Sequence, residues 1–219
     1  MGFVIRETVN INDKFKTLIQ SGNYEKIIHA IMNDSTKVFP NNYIHILSQS
    51  KGECDIKDSL SGKKFDAKLP ITTLQGKLVG SRNADLLQFF QTVRIELEEF
   101  GEYIEKRGQT DFEQLRLYQI LKKKLEADKP DENLIFLFPF PVVLDLGSTS
   151  ITRIAGDVLT EIYRNLKKNN IIGKREIYVI YPCVDKQIVL RCLNNNKREY
   201  IEDIYLREYI QYDIELVKE

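Results

Sequence analysis

The stretch that most restricts the fold is Leu134-Ile-Phe-Leu-Phe138, five apolar residues in succession, set between the polar Asp128–Asn133 and the prolines Pro139 and Pro141. Successive residues of a strand point to opposite faces, so an unbroken apolar run needs cover on both. The run therefore predicts a central strand of a sheet flanked by helices. It is too short to span a bilayer.

A second stretch predicts what that sheet carries. Glu53 to Leu69, ECDIKDSLSGKKFDAKL, alternates polar and apolar residues on either side of Asp58, Ser59, Ser61 and Gly62. This is a β-hairpin pattern. Period two puts Glu53, Asp55 and Lys57 on one face and Cys54 and Ile56 on the other. In the second arm, Phe65, Ala67 and Leu69 are expected to pack inward, against a helix at 150–168 or its neighbour. A turn centred at Leu60–Ser61 sets Asp55 opposite Asp66, and one centred at Ser61–Gly62 sets it opposite Lys68. Both registers bring Asp55, Asp66 and Lys68 to one face, whereas a one-residue slip separates them. Two carboxylates are hard oxygen ligands suited to magnesium. A lysine beside them can orient or deprotonate a water. A plain hairpin with one wet face and surface Asp–Lys pairs has the same alternation.

An acid at one strand, then Asp66-Ala67-Lys68 on the next, resembles the restriction-endonuclease-like PD-(D/E)xK nuclease superfamily. Cys54 stands where that family often has proline, and Asp66 replaces its commoner glutamate. The resemblance implies Asp55 and Asp66 as metal ligands, Lys68 as the residue assisting the attacking water, and the Ala67 carbonyl as a further ligand. The implied cofactor is Mg2+ or Mn2+. Some such nucleases add a helix carboxylate, for which Glu25 is the candidate, and glutamine beyond the lysine recurs in parts of the family, which marks Gln75. Glu53, on the strand face of Asp55, is a further candidate acid.

The rest of the chain is read around these two stretches. Residues 3–9 read as an edge strand. Asn12 or Asp13 caps a helix with Phe15, Leu18 and Ile19, and Gly22-Asn23 separates it from a second helix with Tyr24, Ile27, Ile28 and Ile31 on one face. Tyr43–Leu47 reads as a strand, and Pro70 predicts an edge or bulge. Helical stripes follow at 84–107, whose far face is acidic, and after Asp111, giving an inserted helical hairpin over 84–127. Ser148 or Ser150 caps a helix carrying Ile151, Ile154, Val158, Ile162 and Leu166. Residues 175–219 are β-rich, with strands at 177–181, 187–193, 198–204 and 209–217 expected to form a meander, although the periods compete in the last segment, which could instead be a helix. The expected fold is α/β (α+β): one domain over 1–219, a central mixed sheet flanked by helices, and a restriction-endonuclease-like core.

Charge and motifs set the expected function. The chain has 32 basic and 32 acidic residues, so it exerts no global pull on nucleic acid. Locally the balance shifts: from Gln49 to Arg82 the bases are Lys51, Lys57, Lys63, Lys64, Lys68, Lys77 and Arg82, against Glu53, Asp55, Asp58 and Asp66. Lys63, Lys64, Lys77 and Arg82 are thus candidate phosphate contacts, with Lys167, Lys168, Lys174 and Arg175 as a second patch. Three cysteines without CxxC spacing fit a reduced cytoplasmic setting, and Met1–Arg6 lacks the pattern of a secretory leader. The sequence contains no Walker A, GxGxxG, HExxH or GxSxG pattern. The expectation is a metal-dependent nuclease acting on DNA or RNA, the effector of a defence or mobile-element system, with a protein partner or a second copy and no membrane association. The alternative is a non-catalytic subunit of a nucleic-acid-associated complex, for which the acidic 84–107 helix would be a docking surface.

Overall fold

A computed structural model of the 219-residue chain describes residues 3–11, 14–20, 23–40, 45–47, 54–71, 113, 115–127, 129, 131–138, 150–183 and 186–218. Its elements are β1 (Phe3–Ile11), α1 (Lys14–Gln20), α2 (Asn23–Asp34), β2 (His45–Leu47), β3 (Ile56–Asp58), β4 (Lys64–Lys68), α3 (Arg116–Ala127), β5 (Asn133–Leu137), α4 (Ser150–Lys168), β6 (Ile177–Cys183), β7 (Gln187–Cys192), β8 (Arg198–Glu202) and β9 (Ile210–Lys218). The protein is mixed α/β. Seven strands form one sheet in the order β2-β3-β4-β5-β6-β7-β8, and β1 pairs with β9 in a second, two-stranded sheet.

The seven-stranded sheet starts antiparallel through β2, β3 and β4, turns parallel through β5 and β6, and ends antiparallel through β7 and β8. The apolar run lands at its centre, with Leu134, Ile135, Phe136, Leu137 and Phe138 all buried. Register sorts the two faces. Phe65 shares a face with Tyr178, and Phe39 from the turn after α2 packs on both, with ring centroids 5.8 and 4.8 Å away. The opposite face, with Leu134, Phe136, Ile177 and Val179, is covered by Leu121 and Leu125 of α3 and by Ile162, Tyr163 and Leu166 of α4. Phe65 therefore packs beneath the turn after α2, on the sheet face opposite Ile162, Tyr163 and Leu166 of the 150–168 helix. Ile162 and Leu166 are buried as the helical stripe predicts.

Two side chains lock these layers. The Glu199 carboxylate on β8 accepts hydrogen bonds from Ser35 Oγ (2.5 Å), Thr36 N (2.9 Å) and Oγ1 (3.0 Å), Lys37 N (2.9 Å) and Val38 N (3.2 Å). It thereby fastens the turn after α2 to the sheet. Burial alone would raise its pKa, but these donors more than reverse that and hold it at about 2. Arg175 is the second lock. Its guanidinium donates to the carbonyls of Ile172 (2.9 Å), Leu125 (2.8 Å) and Ile171 (2.5 Å), tying the end of α3 to the turn after α4.

Three expectations need correction. The C-terminal meander stops at β8, and the last strand leaves it to pair with β1, Phe3 opposite Lys218. The strand predicted to reach Ile204 ends at Glu202, because Asp203 Oδ1 accepts from Tyr205 N and Leu206 N and turns the chain. Pro70 marks neither edge nor bulge: β4 lies between β3 and β5 and ends at Lys68, before the residue that lacks an N–H. The 84–107 helix lies outside the described residues, and α3 supplies the second half of the predicted helical hairpin.

Candidate active site

The hairpin turn fixes the geometry of the acids. Asp58 is buried, its Oδ1 accepts from Leu60 N (2.9 Å), and its Oδ2 accepts from Ser61 Oγ (2.6 Å). Gly62 N returns to the Asp58 carbonyl (3.1 Å) with φ at 70°, a left-handed conformation that glycine adopts without strain. Closed this way, the arms pair Ile56 with Phe65 and Lys57 with Lys64. The same register, carried one residue further, sets Asp55 across from Asp66. This is the register of a turn centred at Leu60–Ser61.

Reciprocal hydrogen bonds hold the two acids in place. Ala67 N donates to Asp55 Oδ2 (2.9 Å), and Asp55 N donates to the Asp66 carboxylate. Lys68, two residues along the same face, brings Nζ to 3.6 Å from Asp66 Oδ2. Asp66 is only 8% exposed. Burial raises the pKa of Asp55 to about 6, with Glu25 and Asp66 adding to the rise and the Ala67 amide and Lys68 opposing it. Asp66 is also raised, chiefly by burial, against the pull of Lys68 and with a further push from Glu132. Both carboxylates lie where a cation would lower their energy.

Glu25 reaches this group from α2, which packs on β2, β4 and β5. Tyr24 beside it hydrogen-bonds Glu25 and faces Asp55 and Asp66, and burial raises the pKa of its phenol, so it stays neutral. Glu132 is 2% exposed, hydrogen-bonds Asp66, and pairs with Lys129 at 3.2 Å. Sequence reasoning missed Tyr24 and Glu132 as neighbours of the site. Tyr24 was absorbed into the buried stripe of its helix. Glu132 shares the strand parity of Leu134 and Phe136, a signal that becomes useful only once β5 is known to lie beside β4.

The predicted phosphate contacts divide. Lys64 is exposed on the face of the acids. Lys63 pairs instead with Glu176 at 2.8 Å. Lys167, Lys168 and Lys174 are exposed at the end of α4 and in the turn after it, with Lys167 Nζ 5.8 Å from the Tyr163 ring centroid. Arg175 is buried with its guanidinium spent on three backbone carbonyls, so it is a structural residue and not a phosphate contact. Glu53, Gln75, Lys77 and Arg82 lie outside the described residues.

Among the described residues, no group of three or more histidine, cysteine, aspartate or glutamate side chains is arranged to hold a metal ion. Magnesium does not need such a cage, because it binds through one or two carboxylates and keeps several waters. Asp55 and Asp66 fit that demand in donor chemistry and in charge.

No protein-family model, curated protein or solved structure matches the chain.

Proposed function

We propose that this protein is a divalent-metal-dependent nuclease of the restriction-endonuclease-like PD-(D/E)xK kind, hydrolysing phosphodiester bonds in DNA or RNA. The observation that carries the reading is the hydrogen bond from Ala67 N to Asp55 Oδ2 (2.9 Å), which holds Asp55 beside Asp66, with the Lys68 ammonium 3.6 Å from Asp66. Strand order supports it: an antiparallel β2-β3-β4 start followed by a parallel neighbour, β5, is the order expected of that core.

Hydrolysis adds a water oxygen to phosphorus and breaks one P–O ester bond, leaving a phosphate monoester and a hydroxyl. Asp55 and Asp66 would hold Mg2+ or Mn2+, which when bound polarises a phosphoryl oxygen and acidifies a water. Lys68, 3.6 Å from Asp66, would orient the attacking water and offset charge building on the phosphate. The neutral Tyr24 phenol and the Glu25 carboxylate bound to it border the same space.

Asp66→Ala and Lys68→Ala should each abolish magnesium-dependent cleavage of DNA and RNA while leaving the thermal melt in place. Equal cleavage by the wild type and both variants overturns the reading. Cleavage only after a partner is added would favour the non-catalytic-subunit alternative.

A further inference from the structure

On the sheet face of the acids, the rung next to Asp55 and Asp66 is Lys57 opposite Lys64. Both lysines are exposed, and among the described residues neither side chain makes an ion pair. The acids nearest the start of β4 and β5 are already engaged, Glu176 by Lys63 at 2.8 Å and Glu132 by Lys129 at 3.2 Å. Like charges placed directly across a strand pair destabilise a sheet. Here that repulsion sits two strand residues, about 6.8 Å, from the acid rung. That distance is on the order of the step from one phosphate to the next along an extended polynucleotide.

We infer that the Lys57–Lys64 rung holds the phosphate adjacent to the scissile one, so that the substrate is a polynucleotide strand gripped along its backbone and not a mononucleotide or phosphomonoester. The inference rests on the reading of Asp55 and Asp66 as the phosphodiester site, which fixes where the scissile phosphate lies. Lys57 thereby joins Lys64 as a substrate contact. Lys63, on the other face and paired with Glu176, is excluded from it.

The test measures binding apart from cleavage. An Asp66→Asn background is titrated with a fluorescent single-stranded oligonucleotide in magnesium across a salt series, with and without Lys57→Gln and Lys64→Gln. Each contact removed should flatten the slope of log affinity against log salt by about 0.7. Lys57→Arg with Lys64→Arg should restore it. Lys197→Gln, on the exposed turn between β7 and β8, should leave it nearly unchanged. Relief of the like-charge pair should hold or raise the melting temperature of the Gln variant, so lost binding cannot be ascribed to unfolding. An unchanged slope overturns the inference, even if the wild type cleaves. So does an equal loss of affinity for a mononucleotide. A lysine-dependent slope in a protein that never cleaves would uphold backbone binding and remove only the nuclease reading.

Discussion

Asp55→Asn should make the metal-free protein more stable above pH 7. Asp55 moves from an ordinary value of 3.8 to about 6 in the folded chain, chiefly through burial. A raised acid pKa means that the folded state resists the charge. The penalty is absent below the unfolded value, grows as pH rises between about 3.8 and 6, and is complete above that window. The shift corresponds to about 3 kcal/mol, and solvent screening of a half-buried carboxylate reduces this to about 1–2 kcal/mol. Asparagine keeps an oxygen for the Ala67 amide and presents an NH2 to Glu25 and Asp66 instead of a third negative charge. Urea denaturation in EDTA should therefore show the variant ahead by about 1–2 kcal/mol at pH 8, or roughly 2–8 °C in melting temperature for a chain of this size. At pH 4 the two should converge. Magnesium should supply the same relief to the wild type by binding the folded state, and little to the variant. A variant less stable than the wild type at pH 8, or a difference that does not change with pH, would refute the electrostatic account of the acid rung.

The Glu199 lock has the opposite sign. Its pKa falls from 4.5 to about 2, so its contribution is present above pH 4.5 and fades as pH drops toward 2. Glu199→Gln should cost about 1–2 kcal/mol at pH 7, screening included, and progressively less in acid, read by denaturation at both pH values. Arg175→Met should lower stability by about 3 kcal/mol by removing three guanidinium hydrogen bonds to buried carbonyls, and Arg175→Lys should recover only part, since one ammonium cannot reproduce the guanidinium fork. An Arg175→Met protein that melts normally but fails to bind nucleic acid would reverse its assignment.

How much of this was legible in the sequence depended on whether the signal was local. The Leu134–Phe138 run and the Ile162–Leu166 stripe fixed buried elements because each periodicity admits one kind of environment. Alternation in the hairpin placed Asp55, Asp66 and Lys68 on one face but left two registers open. The choice was made by Asp58, whose carboxylate caps Leu60 N and Ser61 Oγ, a turn signal weaker in sequence than the glycine beside it. Partnerships across long separations left no trace. Alternation in residues 209–217 left strand and helix both open and could not say that a mate lay at 3–11. Arg175 in a run of bases looks the same whether it faces a phosphate or the ends of two helices. Glu132 looked like loop polarity until a parallel neighbour brought Asp66 against it.

The pairing of β1 with β9 has a consequence for the order of events during folding. Closing that ribbon from an unfolded chain means joining segments about 200 residues apart, an entropic cost of roughly 5 kcal/mol. Once the seven-stranded sheet has formed, most of that separation has already been bridged, so the ribbon should close last and open first. During synthesis β1 emerges before all of the sheet strands and β9 after them, an interval of roughly 10–40 s at 5–20 residues per second. Throughout it the β-prone segment Phe3-Val-Ile-Arg-Glu-Thr-Val-Asn-Ile11 has backbone donors and acceptors with no strand to receive them. Arg6, Glu7 and Asn10 are then all that tempers its pairing with another nascent chain.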